Sequence, residues 1–235
     1  MKELAAQHPA YGHPMLHYLV RRENEAPINK KRTERIYREE KLSLRIKKKR
    51  KKLRHLRLAL PQAEEADSVW SMDFVHDRAA NNQQLKFLTM VDHCTREMPD
   101  LVVRSSFKGV DVAATLERLR MFGRKPQTLV VDNGPEFRSR SLQRWATLNG
   151  VRLHFIEPGK PQQNGYIESL NGKFRAECLD RNLFDNLDLA RVLTQKWKTE
   201  YETYRPHSSL NGLTPSEYAK SKGSTKQVNS ELKTG

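Results

Sequence analysis

Short apolar runs alternate with amphipathic stretches along residues 69–219, and their periods name the elements. Residues 69–75, 85–92 and 98–104 are apolar runs of strand length. Asn81-Asn82 supplies turn chemistry between the first two, which predicts an antiparallel hairpin. Residues 110–122 read as an amphipathic helix, with Val112, Leu116, Leu119 and Phe122 toward one side and Gly123 as its stop. A fourth strand follows at 128–131, a second helix at 139–149 ending on Gly150, and a fifth strand at 151–156. The order β-β-β-α-β-α-β-α predicts an α/β fold: a mixed five-stranded sheet flanked by helices. Residues 157–164 (EPGKPQQN) carry two prolines and a glycine and read as a loop. Helices are then expected over 165–179 and 187–204, and a capping box at Thr214-Pro215-Ser216-Glu217 opens a last short one.

The front of the chain differs. Residues 1–42 read as helical and basic, with Asn24 ending one helix and Asn29 capping the next. Ile36 and Leu42 are its expected core residues, and Pro14 falls where it would disturb a helix. The expected organisation is a small helical basic domain at 1–44 and a basic arm with linker at 45–67. A catalytic-type α/β core at 68–182, a helical extension at 183–220 and a polar, disordered tail at 221–235 follow.

Charge sharpens this division. The chain carries +15 overall. Residues 1–60 hold 18 Lys/Arg against 6 Asp/Glu, and the remainder is nearly balanced. A basic front joined to a near-neutral body points to an anionic polymer, with a merely Lys-rich soluble surface as the alternative. The densest run, 45–57, includes Lys47, Lys48, Lys49, Arg50, Lys51 and Lys52 and no acid. Lys30, Lys31, Arg32, Arg35 and Arg38 crowd the helix after Asn29, as in a recognition helix or in any solvated basic helix. Two scattered cysteines, Cys94 and Cys178, imply no disulfide framework or zinc cluster and fit a reducing compartment. No apolar run approaches a membrane span, so a cytoplasmic, nucleoid-associated protein is expected.

Three carboxylates carry the chemistry. Asp73 lies inside the first strand, with Ser71 and Val75 on the same face. Asp132 follows the fourth strand at the start of the tight turn Asn133-Gly134-Pro135, where ligand sites of open α/β sheets gather. Glu168 opens the helix after the 157–164 loop. Acids beside buried strands need compensation, and an oxygen-only set suits Mg²⁺ or Mn²⁺. Other acids have blander readings. Asp92 is expected to pair with Arg96, Glu136 to cap a helix or orient the site, and Glu177 to face away from Glu168. Arg175 lies two turns after Glu168 on nearly the same face, about 10 Å along the axis, with Asn171 on the same helix and Lys173 close by. Those residues could follow a phosphodiester or form an ordinary charged surface. His207 could touch DNA or pack between helices, and Trp145 and Trp197 read as core.

The phrases WSMDFV, VVDNGPEF, PGKPQQNGYIESLNGKFRAECL and YRPHSSLNGLTPSEYA resemble the second-reading-frame (OrfB) transposases of bacterial insertion sequences. Their core is similar to that of retroviral integrase. The likeness covers about residues 69–219, and residues 1–45 more loosely resemble the preceding helix-turn-helix segment. The resemblance implies a ribonuclease-H-like fold with Asp73, Asp132 and Glu168 as catalytic DDE ligands of two Mg²⁺ ions per site, Mn²⁺ substituting. It implies DNA contacts by Arg175, a loop containing Gln163, Asn164 and Gly165 at the active site, and supporting roles for Asn133, Gly134 and Asn171. Lys160, Lys173, Asn164 and the 47–52 arm are the further DNA-binding expectations, with Arg205 a weaker one. The implied reaction is metal-dependent cleavage and strand transfer at element ends, without ATP or a covalent enzyme–DNA intermediate. Double-stranded DNA, both element ends and target, is the implied partner. A synaptic homo-multimer and a separate first-frame helix-turn-helix subunit are further expected partners. Two alternatives remain open on the residues: a catalytically decayed DNA-binding regulator, and an RNase-H-type nuclease that only hydrolyses.

Overall fold

The computed structural model describes residues 1–24, 27–44, 63–157 and 164–231. Strands β1 (Val69–Arg78), β2 (Gln84–Asp92), β3 (Leu101–Arg104), β4 (Thr128–Val131) and β5 (Arg152–Phe155) form one sheet in the order β3-β2-β1-β4-β5. The hairpin pair β1–β2 and the pair β2–β3 are antiparallel, while β1–β4 and β4–β5 are parallel. This is the mixed sheet expected, with the hairpin longer at both arms. Asn82 turns it with a left-handed φ of 69°.

Alternation along β1 divides the core. Trp70 and Met72 face helices α4 (Gly109–Met121) and α5 (Arg140–Leu148), packing with Val112, Leu116, Leu142 and Trp145. Val75 faces the other layer, α6 (Gly165–Glu177) and α7 (Leu187–Thr203), with Ile167, Leu170, Phe174 and Trp197. Asp73 shares the α6 face. Phe122, expected on the core side, caps α4 and is 80% exposed, because the helix ends one residue earlier.

The front unit comprises α1 (Lys2–Gln7), α2 (His13–Glu23) and α3 (Lys30–Glu39) around Leu4, Tyr11, Leu16, Leu19 and Tyr37. Pro14 lies in the first turn of α2, where its missing N–H has no helical partner to lose, so it starts the helix rather than disturbing it. Asn24 and Asn29 bound the helices as expected, the Asn29 side chain accepting from the Lys31 N–H. Thr33 and Tyr37 carry the buried face of α3, whereas Ile36 and Leu42 are only partly buried.

This unit seats on the helical extension. Arg22 donates to the Gly212 carbonyl at 3.1 Å and pairs with Glu217 at 2.5 Å, and the Tyr11 hydroxyl reaches Glu200 at 3.4 Å. Gly212 has φ +84°, and a Cβ there would lie 2.3 Å from the Tyr18 ring. The last helix, α8 (Pro215–Glu231), starts at the expected capping box, with Thr214 and Glu217 each accepting the other's backbone N–H. It continues past residue 220, where a disordered tail was expected. No proline interrupts residues 216–231, and Gly223 costs a helix less than proline would.

Candidate active site

The site is built where α6 crosses the β1–β2 face. Asp73 and Thr89 are direct cross-strand partners. The Thr89 hydroxyl donates to Asn171 Oδ1 at 2.8 Å, which turns the Asn171 amide so that Nδ2 donates to Asp73 Oδ2 at 2.8 Å. The other Asp73 oxygen accepts the Phe74 N–H at 2.7 Å. These bonds favour the carboxylate, yet its pKa is pushed up to about 6. Burial is the main cause, and the negative charges of Asp132 and Glu168 add to it. Asp132 and Glu168 thus lie within electrostatic reach of Asp73.

Asp132 follows the last residue of β4 and is half-buried. Its Oδ1 accepts the Gly134 N–H at 2.8 Å. A Cβ on Gly134 would stand 2.9 Å from that oxygen, so glycine is what lets the turn fold back onto the carboxylate. Asn133 points away, its amide donating to the Ile156 carbonyl and tying the ends of β4 and β5. Glu168 lies in the first turn of α6 and is exposed. Among the described residues no hydrogen bond or ion pair holds its carboxylate, and no three His, Cys, Asp or Glu side chains form a ready-made metal cage. The donor set still fits a hard divalent cation. It is oxygen-only, and one member is a half-buried anion whose partners are neutral donors and further anions.

Residues 168, 171 and 175 form one stripe along α6. Asn171 meets Asp73, and Arg175 donates to the His76 carbonyl at 3.0 Å with Asp77 at 3.8 Å, leaving its side chain 46% exposed. Lys173 lies about 200° round the helix from Arg175. It is half-buried, donates to Ser169 Oγ, and has its pKa pushed down to about 8 by burial and by Arg205. It is not part of the stripe. Asn164 is buried at the N-cap of α6, which removes it from the surface expected to meet DNA. Lys160, Gln163 and the 47–52 arm lie outside the described residues.

Several other acids are satisfied within the protein. Asp92 is buried and accepts four N–H groups, from Cys94, Thr95, Asp67 and the Trp70 indole, rather than pairing with Arg96. Glu136 neither caps a helix nor faces the three acids with a free charge; Lys86 pairs with it at 2.5 Å. Glu177 faces away from the site and binds Arg205, with both side chains nearly sealed from solvent, so Arg205 is not a DNA contact. His207 is buried against the Tyr201 ring. Trp145 and Trp197 are core residues as expected. Sequence reasoning missed Thr89, although β2 was expected to span it and a hairpin register would have set it opposite Asp73. It also missed Tyr166, His93 and Arg96, which gather beside the site.

Comparisons with known proteins bear on the family and the fold. Two integrase core domain families match residues 63–161 and 149–215, and an HTH-like domain family matches residues 1–50. The integrase-type core thus defines the class. The uncharacterized 31.7 kDa protein of insertion element IS407 from Burkholderia multivorans is 46% identical over 219 residues, 92% of this chain and 78% of the relative. The uncharacterized 39.2 kDa protein of insertion element IS476 from Xanthomonas euvesicatoria is 40% identical, covering 92% of this chain and 62% of the relative. The Escherichia coli transposase InsD of insertion element IS2 is 25% identical over 89% of this chain and 73% of its own. Among solved structures, the HTLV-2 integrase catalytic core domain in complex with magnesium overlays with a TM-score of 0.53 at 18% identity, over 65% of this chain and 96% of that one. The integrase-fold likeness extends to a simian T-cell lymphotropic virus intasome, TM-score 0.58 at 15% identity, over 68% of this chain and 56% of that one. The chain belongs to the integrase-core transposases of bacterial insertion sequences, with an HTH-like unit in front of the ribonuclease-H-like core.

Proposed function

We propose that this transposase is a DDE polynucleotidyl transferase. It cleaves DNA at insertion-sequence ends and joins the freed 3′ end to another phosphodiester. The observation that carries the reading is Asp73, a half-buried acid with no cationic partner among the described residues, raised to a pKa of about 6 by burial and by two neighbouring carboxylates. An anion left uncompensated by its own protein is a site for an external cation. Asp73, Asp132 and Glu168 would hold two Mg²⁺ ions, or Mn²⁺ in their place. Bound there, such ions would supply the Lewis acidity that lowers the pKa of water or a DNA 3′-hydroxyl and offsets charge on a leaving oxygen.

The chain's own groups do the positioning. Asn171 and the Phe74 N–H aim the two Asp73 oxygens, and the Gly134 N–H fixes one oxygen of Asp132. Arg175, on the same stripe of α6, takes a phosphate beside the scissile one. The front unit at 1–44 and the basic arm at 45–57 add electrostatic affinity for double-stranded DNA. Joining two ends requires a synaptic homo-multimer, and a first-frame helix-turn-helix subunit is a further partner. Among the described residues no helix is long and apolar enough to cross a membrane; the substrate places the protein in the cytoplasm at the nucleoid.

The test is incubation of the purified chain with end-labelled element DNA and Mg²⁺, beside Glu168→Gln. Nicks and strand-transfer products that vanish in the variant are expected. Nicks without transfer would favour the hydrolase, and binding without nicks the decayed regulator.

A further inference from the structure

Glu168 rides on a helix turn that has no cap of its own. Asn164 occupies the N-cap position of α6 but makes no side-chain cap bond, and its buried Oδ1 has no hydrogen-bond partner among the described residues. The turn is held through Tyr166 instead. The Tyr166 ring lies against His93, ring centroids 4.4 Å apart, and beneath the Arg96 guanidinium, 3.9 Å from the centroid. Arg over an aromatic face is an attractive arrangement. Both grips are themselves fixed. His93 Nε2 is 2.6 Å from Ser71 Oγ, and Arg96 donates to the His93 carbonyl. Arg96 does so from a left-handed backbone, φ 63°, which a side chain this large adopts only when its surroundings hold it there.

The location gives the clamp its meaning. Ser71 precedes Asp73 by two residues on the same strand face. α6 therefore meets the sheet at three successive heights: Tyr166 at Ser71 and His93, Asn171 at Asp73 and Thr89, Arg175 at His76. Tyr166 and Glu168 are about 200° apart around the helix. A ring gripped on one side thus sets the direction in which the carboxylate leaves the other.

Resting on the metal-dependent reading above, we infer that His93, Tyr166 and Arg96 form a positioning clamp. It sets the rotation and height of the first turn of α6 so that Glu168 closes on a divalent cation together with Asp73 and Asp132. None of the three touches the reacting atoms.

The experiment uses the full chain and four variants: Tyr166→Phe, Tyr166→Leu, Arg96→Gly and Glu168→Gln. Mg²⁺ alone is titrated against the melting temperature. Cleavage of labelled element ends is followed over the same range, and DNA affinity is measured in EDTA. Tyr166→Phe keeps the ring and should match the parent. Tyr166→Leu and Arg96→Gly should need about tenfold more Mg²⁺ for the half-maximal rise in melting temperature and for cleavage. Saturating Mg²⁺ should restore most of the rate, and affinity in EDTA should not change. Glycine suits φ 63°, so Arg96→Gly keeps the test sound if Tyr166→Leu folds poorly. Parent-like Mg²⁺ midpoints in Arg96→Gly would overturn the clamp. Glu168→Gln separates the two levels. If it loses cleavage and the Mg²⁺ response while the clamp variants keep theirs, only the clamp fails. If it keeps both, the proposed function fails first.

Discussion

Two acids, Asp73 on β1 and Glu177 at the end of α6, are both drawn away from solvent and have opposite fates. Glu177 meets the Arg205 guanidinium through several short hydrogen bonds, and the pair is almost sealed from water. Among the described residues, Asp73 meets a backbone N–H and an amide, with two more carboxylates in range. The first acid is neutralised by the fold. The second is not neutralised by any described residue. The contrast separates an acid that holds the structure from one that the structure must tolerate, and it can be broken from either side.

The largest effect is expected at the tolerated acid. Asp73→Asn should cut cleavage of labelled element ends by roughly 10³-fold or more, since it removes charge that organises the transition state. The same change should raise the melting temperature in EDTA at pH 8. The introduced amide can still accept the Phe74 N–H through its oxygen, and the Asn171 amide can turn over because Thr89 both donates and accepts. The sign follows from the pKa of about 6 against an ordinary 3.8. The folded state holds the Asp73 proton more tightly than the unfolded chain, so its contribution is complete below about pH 4 and is lost as pH rises through 6. Metal-free parent should thus lose stability from this group between those values, and Asp73→Asn should flatten that part of the curve.

Next comes the neutralised pair. Arg205→Ala strands Glu177 in the interior and should cost about 3–5 kcal/mol in urea unfolding. Replacing both partners by apolar residues of similar size should recover most of that loss. Asp92→Asn should cost less, about 1–3 kcal/mol, because one oxygen that accepts from Asp67 and the Trp70 indole becomes a donor facing donors. The smallest effect belongs to Arg175→Ala. It should leave folding nearly unchanged, weaken DNA binding modestly and reduce the slope of log affinity against log salt by about one.

The element order and the mixed sheet were legible because period and turn residues are local in the chain. Partner choice was not. Arg96 is four residues from Asp92, and proximity suggested a pair, yet the acid satisfied itself with N–H groups and the arginine turned to Tyr166, seventy residues on. Glu177 was read as facing away from the site, but its partner at position 205 could not be found from helical spacing. Pro14 looked like a breaker until Gly12 proved to be the cap, which put the ring inside the first turn. The lowered pKa of Lys173 likewise depends in part on Arg205, in a segment that no pattern within α6 announces.

The seat of Tyr18 on Gly212 has a consequence for anyone recombining relatives. With an aromatic ring pressed where a side chain would begin, the front helices and the segment before the last helix are matched like key and ward. A hybrid that takes its first fifty residues from one transposase and its ending from another inherits a mismatched lock unless that notch travels with them.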